Sequence, residues 1–287
     1  MRKKIEDRHF QGERALFRAK DLILSRCLFD NGESPLKEAE GVKVEECTFG
    51  YKYPLWYGQG HKVKDCRFLP LARSGIWYTK GSLFENLDIE APKEFRRCEN
   101  IQRKNIDFKD AKETLWYCKG VERQDIKVKG DYFGRGSSFL KGEKLTIKGN
   151  YIFDSGSDIR RKDCLFLSKD AFWNCKNITL VHCTVNGEYF GWNSENVTLI
   201  DCTLSSHQGF CYRKNLKRVG CKVSSSSDLI FEYSENLDCD ISSPLGIIKN
   251  PVSGTISCFG YEDYIKDDQR IDLSKIKVRS KKENGQI

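Results

Sequence analysis

Asn177-Ile-Thr-Leu-Val-His-Cys-Thr-Val185 is followed, nineteen residues on, by Asn196-Val-Thr-Leu-Ile-Asp-Cys-Thr-Leu204. One motif is written twice, and its cysteine marks a register for the rest of the chain. That register runs through Cys27, Cys47, Cys66, Leu87, Ile106, Ile126, Leu145, Cys164, Cys183, Cys202 and Cys221, in steps of 19 to 21 residues. A period held this tightly identifies a solenoid, whose units bury their apolar faces only by stacking on one another.

Other columns keep the same register. Two residues after the marker stand Phe29, Phe49, Phe68, Ile89, Phe108, Val128, Ile147, Phe166, Val185, Leu204 and Val223, so marker and column share the inner face of a strand. Eleven residues before it, Leu16, Leu36, Leu55, Ile76, Phe95, Leu115, Phe153, Phe172 and Phe210 form a second inward column, interrupted by Gly134 and Gly191. Six before it come Gly, Asn or Asp in almost every coil, among them Gly41, Gly60, Asn100, Asn177, Asn196 and Asn215. These residues tolerate left-handed backbone angles, so this column marks a turn made once per coil. Phe139 departs from it, which predicts an irregular loop over 134–142.

Short strands, an Asn or Gly corner and this period predict an all-β fold, a single-stranded right-handed parallel β-helix of about 12 coils with 19–20 residues each. The period excludes helical repeats, and a left-handed hexapeptide helix would show a six-residue sub-period that is not found. The expected organisation is one β-helix domain over 1–260, with 261–287 as a C-terminal cap and a charged, solvated tail carrying Lys275, Lys277, Arg279, Lys281 and Lys282.

Thirteen Cys stand against one Met. No Cys-x-x-Cys pair offers a zinc site, and stacked coils present parallel thiols, so the cysteines read as small buried hydrophobes; no metal and no cofactor is expected. The sequence holds no long apolar run and no basic-then-apolar leader, which argues against a membrane and for a cytoplasmic, reducing location. The net charge of +8 comes from 49 basic and 41 acidic residues, and without a recognised motif it argues against nucleic acid.

The column ten residues before the marker reads Phe17, Lys37, Trp56, Trp77, Arg96, Trp116, Arg135, Asp154, Trp173, Trp192, Cys211, and holds all five tryptophans. Lying next to an inward column, it is expected to face outward on the same strand. In one reading it is the floor of an elongated groove for an acidic oligosaccharide. Trp56, Trp77, Trp116, Trp173 and Trp192 would stack on sugar rings and Arg96 would pair with acidic groups. At mid-row, Asp154 with Asp131 would supply the two carboxyl groups of a glycoside hydrolase, or Arg135 or Tyr132 the base of a polysaccharide lyase. In the other reading the row is covered by the chain itself or by a partner, with a homo-oligomer formed through the Trp row, and the protein is a non-catalytic scaffold. A smaller row, Asp163, His182 and Asp201, sets an imidazole between two carboxylates, either a ligand set or an outer salt-bridge ladder.

The Asn corner and inward apolar columns resemble right-handed β-helix proteins of the pectate-lyase-like type, many of which bind or cleave acidic polysaccharides. More closely, Gly12-Glu-Arg-Ala-Leu-Phe17, Pro54-Leu-Trp-Tyr57 and Leu115-Trp-Tyr117 resemble an uncharacterised bacterial β-helix family, a domain of unknown function, over roughly Phe10 to Phe259. That resemblance implies a fold and no reaction.

Overall fold

The register of the motif is the register of the backbone ladders. The structure is a computed structural model that describes residues 2–224, 227 and 229–281, and by its contacts the chain falls into two compact units, Met1–Gly149 and Asn150–Ile287. In the first unit strands Lys3–Glu6, Leu22–Ser25, Lys43–Glu45, Lys62–Lys64, Leu83–Ile89, Glu99–Phe108, Lys119–Lys129 and Ser138–Lys148 pair in parallel, each with the next. Leu87 stands opposite Ile106, Ile106 opposite Ile126, and Ile126 opposite Leu145, as the marker column requires. The second unit repeats the arrangement with Ser157–Lys162, Lys176–Val181, Glu195–Ile200, Lys214–Val223, Glu235–Ile241, Gly254–Cys258 and Ile276–Ser280. The chain is an all-β parallel solenoid of about 14 turns with about 19 residues per turn. No helix among the described residues is long and apolar enough to cross a membrane.

Two differences from the expected coil count have plain causes. Lys3–Glu6 already pairs with Leu22–Ser25, so the winding begins a coil before the first cysteine marker. At the other end, the segment expected as a cap continues the winding: Tyr261–Ile265 pairs in parallel with Leu245–Lys249, and Ile276–Ser280 with Gly254–Cys258. Lys281 is held there by Asp240 rather than free in a tail, and Lys282 lies outside the described residues. The loop expected over 134–142 is also absent as such. Ser138–Lys148 stays in register with Lys119–Lys129, and Phe139 takes the left-handed corner itself (φ 54°) with its ring about half exposed.

Aromatic side chains of successive coils meet inside each unit, stacked along one column of the first and partly stacked, partly edge-on in the second. In the first, the rings of Phe10, Phe29, Phe49 and Phe68 stack at 4.9, 5.1 and 4.8 Å, close to the spacing of neighbouring strands. In the second, Phe153, Phe172, Phe190, Phe210 and Phe231 form a continuous inner column with centroids 5.2 to 5.8 Å apart. All thirteen cysteines are free and buried, as small apolar groups on the inner columns.

The backbone turns with left-handed residues, and it uses more of them than the Asn column announced. In the coil leading to Cys183 they are Phe172, Asn174, Asn177 and His182, with φ of 59°, 53°, 57° and 51°. For residues other than Gly, Asn and Asp such angles cost on the order of 1 kcal/mol each. They persist because the parallel ladders and stacked cores on either side fix the path of the chain.

Candidate functional site: a ladder of indoles and guanidinium groups

Each tryptophan of the first unit sits between two left-handed residues. Leu55 and Tyr57 flank Trp56, Ile76 and Tyr78 flank Trp77, and Leu115 and Tyr117 flank Trp116, with φ between 54° and 60° at all six. The row is therefore the apex of a tight corner and not the outer face of a strand. From that corner each indole reaches the neighbouring coil: Nε1 of Trp56, Trp77 and Trp116 donates to the carbonyls of Ser74, Lys93 and Tyr132 at 2.5, 2.7 and 2.6 Å.

So fixed, the side chains stack along the solenoid. Trp56 and Trp77 lie parallel, 5.1 Å apart at 8°. The Arg96 guanidinium comes next, 4.4 Å from the Trp77 ring and 4.6 Å from that of Trp116, and Arg135 lies 5.6 Å from the far side of the row at Trp116. Glu113 holds the other edge of Arg96 at 3.6 Å and also pairs with Lys93 at 3.3 Å. Each cation over an indole contributes about 0.5–2 kcal/mol according to its burial. Trp77 and Trp116 are thus engaged on both faces by neighbours in the same row, and Trp56 on one. Beside it runs a more exposed row, Tyr57, Tyr78, Arg97 and Tyr117, in which the first two rings stack at 4.7 Å and 2°. Arg97 is exposed and has no carboxylate partner among the described residues.

The second unit carries its own shorter ladder. Trp173 and Trp192 stack at 5.5 Å and 16°, and Tyr212 continues the row at 5.4 Å. Here the Nε1 groups of Trp173 and Trp192 are buried without an acceptor. Beside them is a shallow cleft of about 370 Å³ lined by Asn174, Lys176, Asn193, Ser194, Glu195, Tyr212 and Lys214. Its amides are already ordered: Asn193 donates to Asn174 at 2.9 Å, and Asn174 to the Asp154 carboxylate at 3.1 Å.

Of the residues expected to do chemistry, Asp131 and Arg135 belong to the first unit and Asp154 to the second. Arg135 lies over Trp116 and Asp154 accepts from Asn174, so both have structural partners. The Asp163, His182, Asp201 row is present as an exposed ladder, with His182 3.4 Å from Asp163 and 3.6 Å from Asp201. Among the described residues no group of three or more His, Cys, Asp or Glu side chains is placed to hold a metal ion.

The columns also carry a second signal: ionisable residues at inward positions. Arg103, Arg161 and Arg218 each stand three residues before the marker, in a column that also holds Leu24, Val44, Val63, Phe84, Arg123, Gly142, Leu180 and Leu199, and these three are buried. Arg213, His61 and Glu94 are likewise inside. Burial raises the Glu94 carboxyl well above the usual carboxylate range; Gly75 N donates to one oxygen at 2.9 Å and the other has no partner.

The chain belongs to the family described as "Protein of unknown function (DUF3737)", which it matches over residues 3–279. No curated protein matches the sequence. Among solved structures it is similar to that of QnrB1, a plasmid-mediated fluoroquinolone resistance protein, with 12% identity over 78% of this chain and 92% of that one and a TM-score of 0.25.

Proposed function

We propose that the protein is a non-catalytic interaction scaffold whose Tyr57, Tyr78, Arg97 and Tyr117 row docks an acidic polypeptide segment. The observation that carries this reading is the Arg96 guanidinium held between the Trp77 and Trp116 rings. A sugar ring stacks on an open aromatic face, and in the first unit both faces of Trp77 and Trp116 lie against other members of the ladder. Beside them Tyr57, Arg97 and Tyr117 are exposed and Tyr78 half-exposed, the residue types that dominate interface anchors. The excess of positive charge favours an acidic partner. The test is a fluorescence titration with a glutamate-rich peptide, a neutral peptide, and acidic and neutral oligosaccharides. The glutamate-rich peptide should bind alone, more weakly as salt rises, and Arg97→Ala and Tyr117→Ala should each weaken it about tenfold. Equal binding of the neutral peptide, or no loss in either variant, rules the reading out.

A second reading, a binding site for an acidic oligosaccharide, is favoured by the cleft of the second unit, where Lys176 and Lys214 stand with Tyr212 and ordered amides. Saturable binding of an acidic oligosaccharide that is lost in Lys214→Ala and kept in Arg97→Ala would establish it in place of the first.

A further inference from the structure

Two arginines enter the interior of the second unit from inward columns. Arg218 stands in register with Leu199 on one side and Cys239 on the other. Arg213 lies eight residues before Cys221, in the column of Cys175 and Ser194. Each is 1% exposed. Arg213 is held firmly: Nε donates to the Gly191 carbonyl at 2.9 Å and Nη2 to that of Phe190 at 2.7 Å, and the guanidinium lies 4.6 and 4.7 Å from the rings of Phe190 and Phe210. Arg218 lies 4.5 Å from the same Phe210 ring. Beyond these contacts, Nη1 of Arg213 and all three nitrogens of Arg218 are buried with no acceptor.

An arginine cannot shed its charge as a histidine or lysine can, and an uncompensated buried cation costs several kcal/mol. Two neighbouring ones cost more. Burial disfavours the Arg213 charge most and the Arg218 cation adds to that, while the thiols of Cys211, Cys239 and Cys175 act in the opposite direction. Those thiols do not supply the missing charge, because burial pushes Cys211 up to about 11 and Cys175 and Cys239 up to about 12. Aromatic faces satisfy part of the positive charge but supply no acceptor to Arg213 Nη1 or to the three nitrogens of Arg218.

We propose that the second unit holds a small monovalent anion of halide size, bound inside the solenoid by the unpaired N–H groups of Arg218 and Arg213. A single-atom anion fits because it brings full charge and accepts from several donors while taking little volume in an interior packed with Phe and Cys. The anion completes the core, so folding and halide binding are linked.

The test uses the full chain, unfolded and refolded with bromide as the only halide, then dialysed into gluconate. Bromide is counted by X-ray fluorescence and located by anomalous scattering in crystals of the same material. One retained bromide per chain is expected, with its anomalous peak within hydrogen-bonding distance of Arg218. The thermal midpoint should rise with halide concentration at constant ionic strength, and that slope should vanish in Arg218→Met. Refolded protein that retains no bromide and shows no such peak overturns the proposal, as does a bromide count unchanged in Arg218→Met. If that variant fails to fold, the wild-type count and map decide alone.

Discussion

Arg213 fills the space in which a side chain at position 191 would stand: a β-carbon on Gly191 would lie 1.6 Å from Arg213 Nη2. Position 191 belongs to a column in which the neighbouring coils hold Phe172 and Phe210, and its φ of +66° is left-handed. Glycine is there to admit a guanidinium from the next coil. Gly191→Ala should therefore cost roughly 3 kcal/mol or more, because it displaces a buried hydrogen-bonded charge and adds backbone strain. Urea unfolding of Gly191→Ala, Arg213→Ala and the double variant measures the coupling. The double variant should be less destabilised than the sum of the singles; strict additivity would mean that the two positions do not share the space.

Arg96 and the indoles on either side make a sandwich that only a flat cation fits. Arg96→Ala should lose about 1–2 kcal/mol from two cation–π contacts and the partly buried contact with Glu113. Arg96→Lys should recover less than half of that, since an ammonium carries the charge but not the planar face. Thermal unfolding at low and high salt separates the contributions. An Arg96→Lys variant as stable as the wild type would show that charge alone, and not stacking, holds the ladder.

How much of this could be read in the sequence follows from what repeats. The period fixed the parallel register, because a stack of coils leaves no other pairing in which Leu87, Ile106, Ile126 and Leu145 meet. It fixed the buried cysteines and the Phe columns for the same reason. The Trp row was legible as a row, but its geometry was not. An inward Leu55 beside Trp56 predicts a strand there, whereas left-handed angles at Leu55 and Tyr57 make a corner of it. Leu and Tyr give no local sign of that conformation; it is imposed by the coils above and below. The buried arginines lay in plain view at inward positions, but charge at such a position reads by default as a break in the pattern.

The Asn corner of the second unit is a chain of side-chain amides. Asn177 donates to Asp158, Asn196 to Asn177, Asn215 to Asn196 and Asn236 to Asn215, at 2.7 to 3.0 Å. Asn196 thus has one bond on each side and a φ of 56°. Asn196→Ala removes both bonds and the tolerance for that angle, and should cost roughly 2 kcal/mol. Asn196→Gly restores the backbone freedom alone and should cost about half as much. Chemical denaturation gives the order; a glycine variant no more stable than the alanine one would show that the corner is held by the amides and not by the backbone preference.

His61 gives the fold a defined pH response. It occupies an inward position in the column of Val42 and Ile101, 1% exposed, and neither ring nitrogen has a partner. Burial alone lowers its pKa from 6.5 to about 4, so the folded chain keeps the ring neutral where the unfolded chain protonates it. The unfolded state then binds the extra proton below 6.5, and stability falls as pH drops from about 6.5 towards about 4. The full effect is roughly 3 kcal/mol, with nothing contributed above the unfolded value. His61→Val, which copies Val42 one coil earlier, should remove this part of the acid sensitivity and leave stability at pH 8 within about 1.5 kcal/mol of the wild type. Denaturation midpoints for both proteins between pH 8 and pH 4 decide it: parallel curves would mean that His61 reaches solvent or a partner in the folded state.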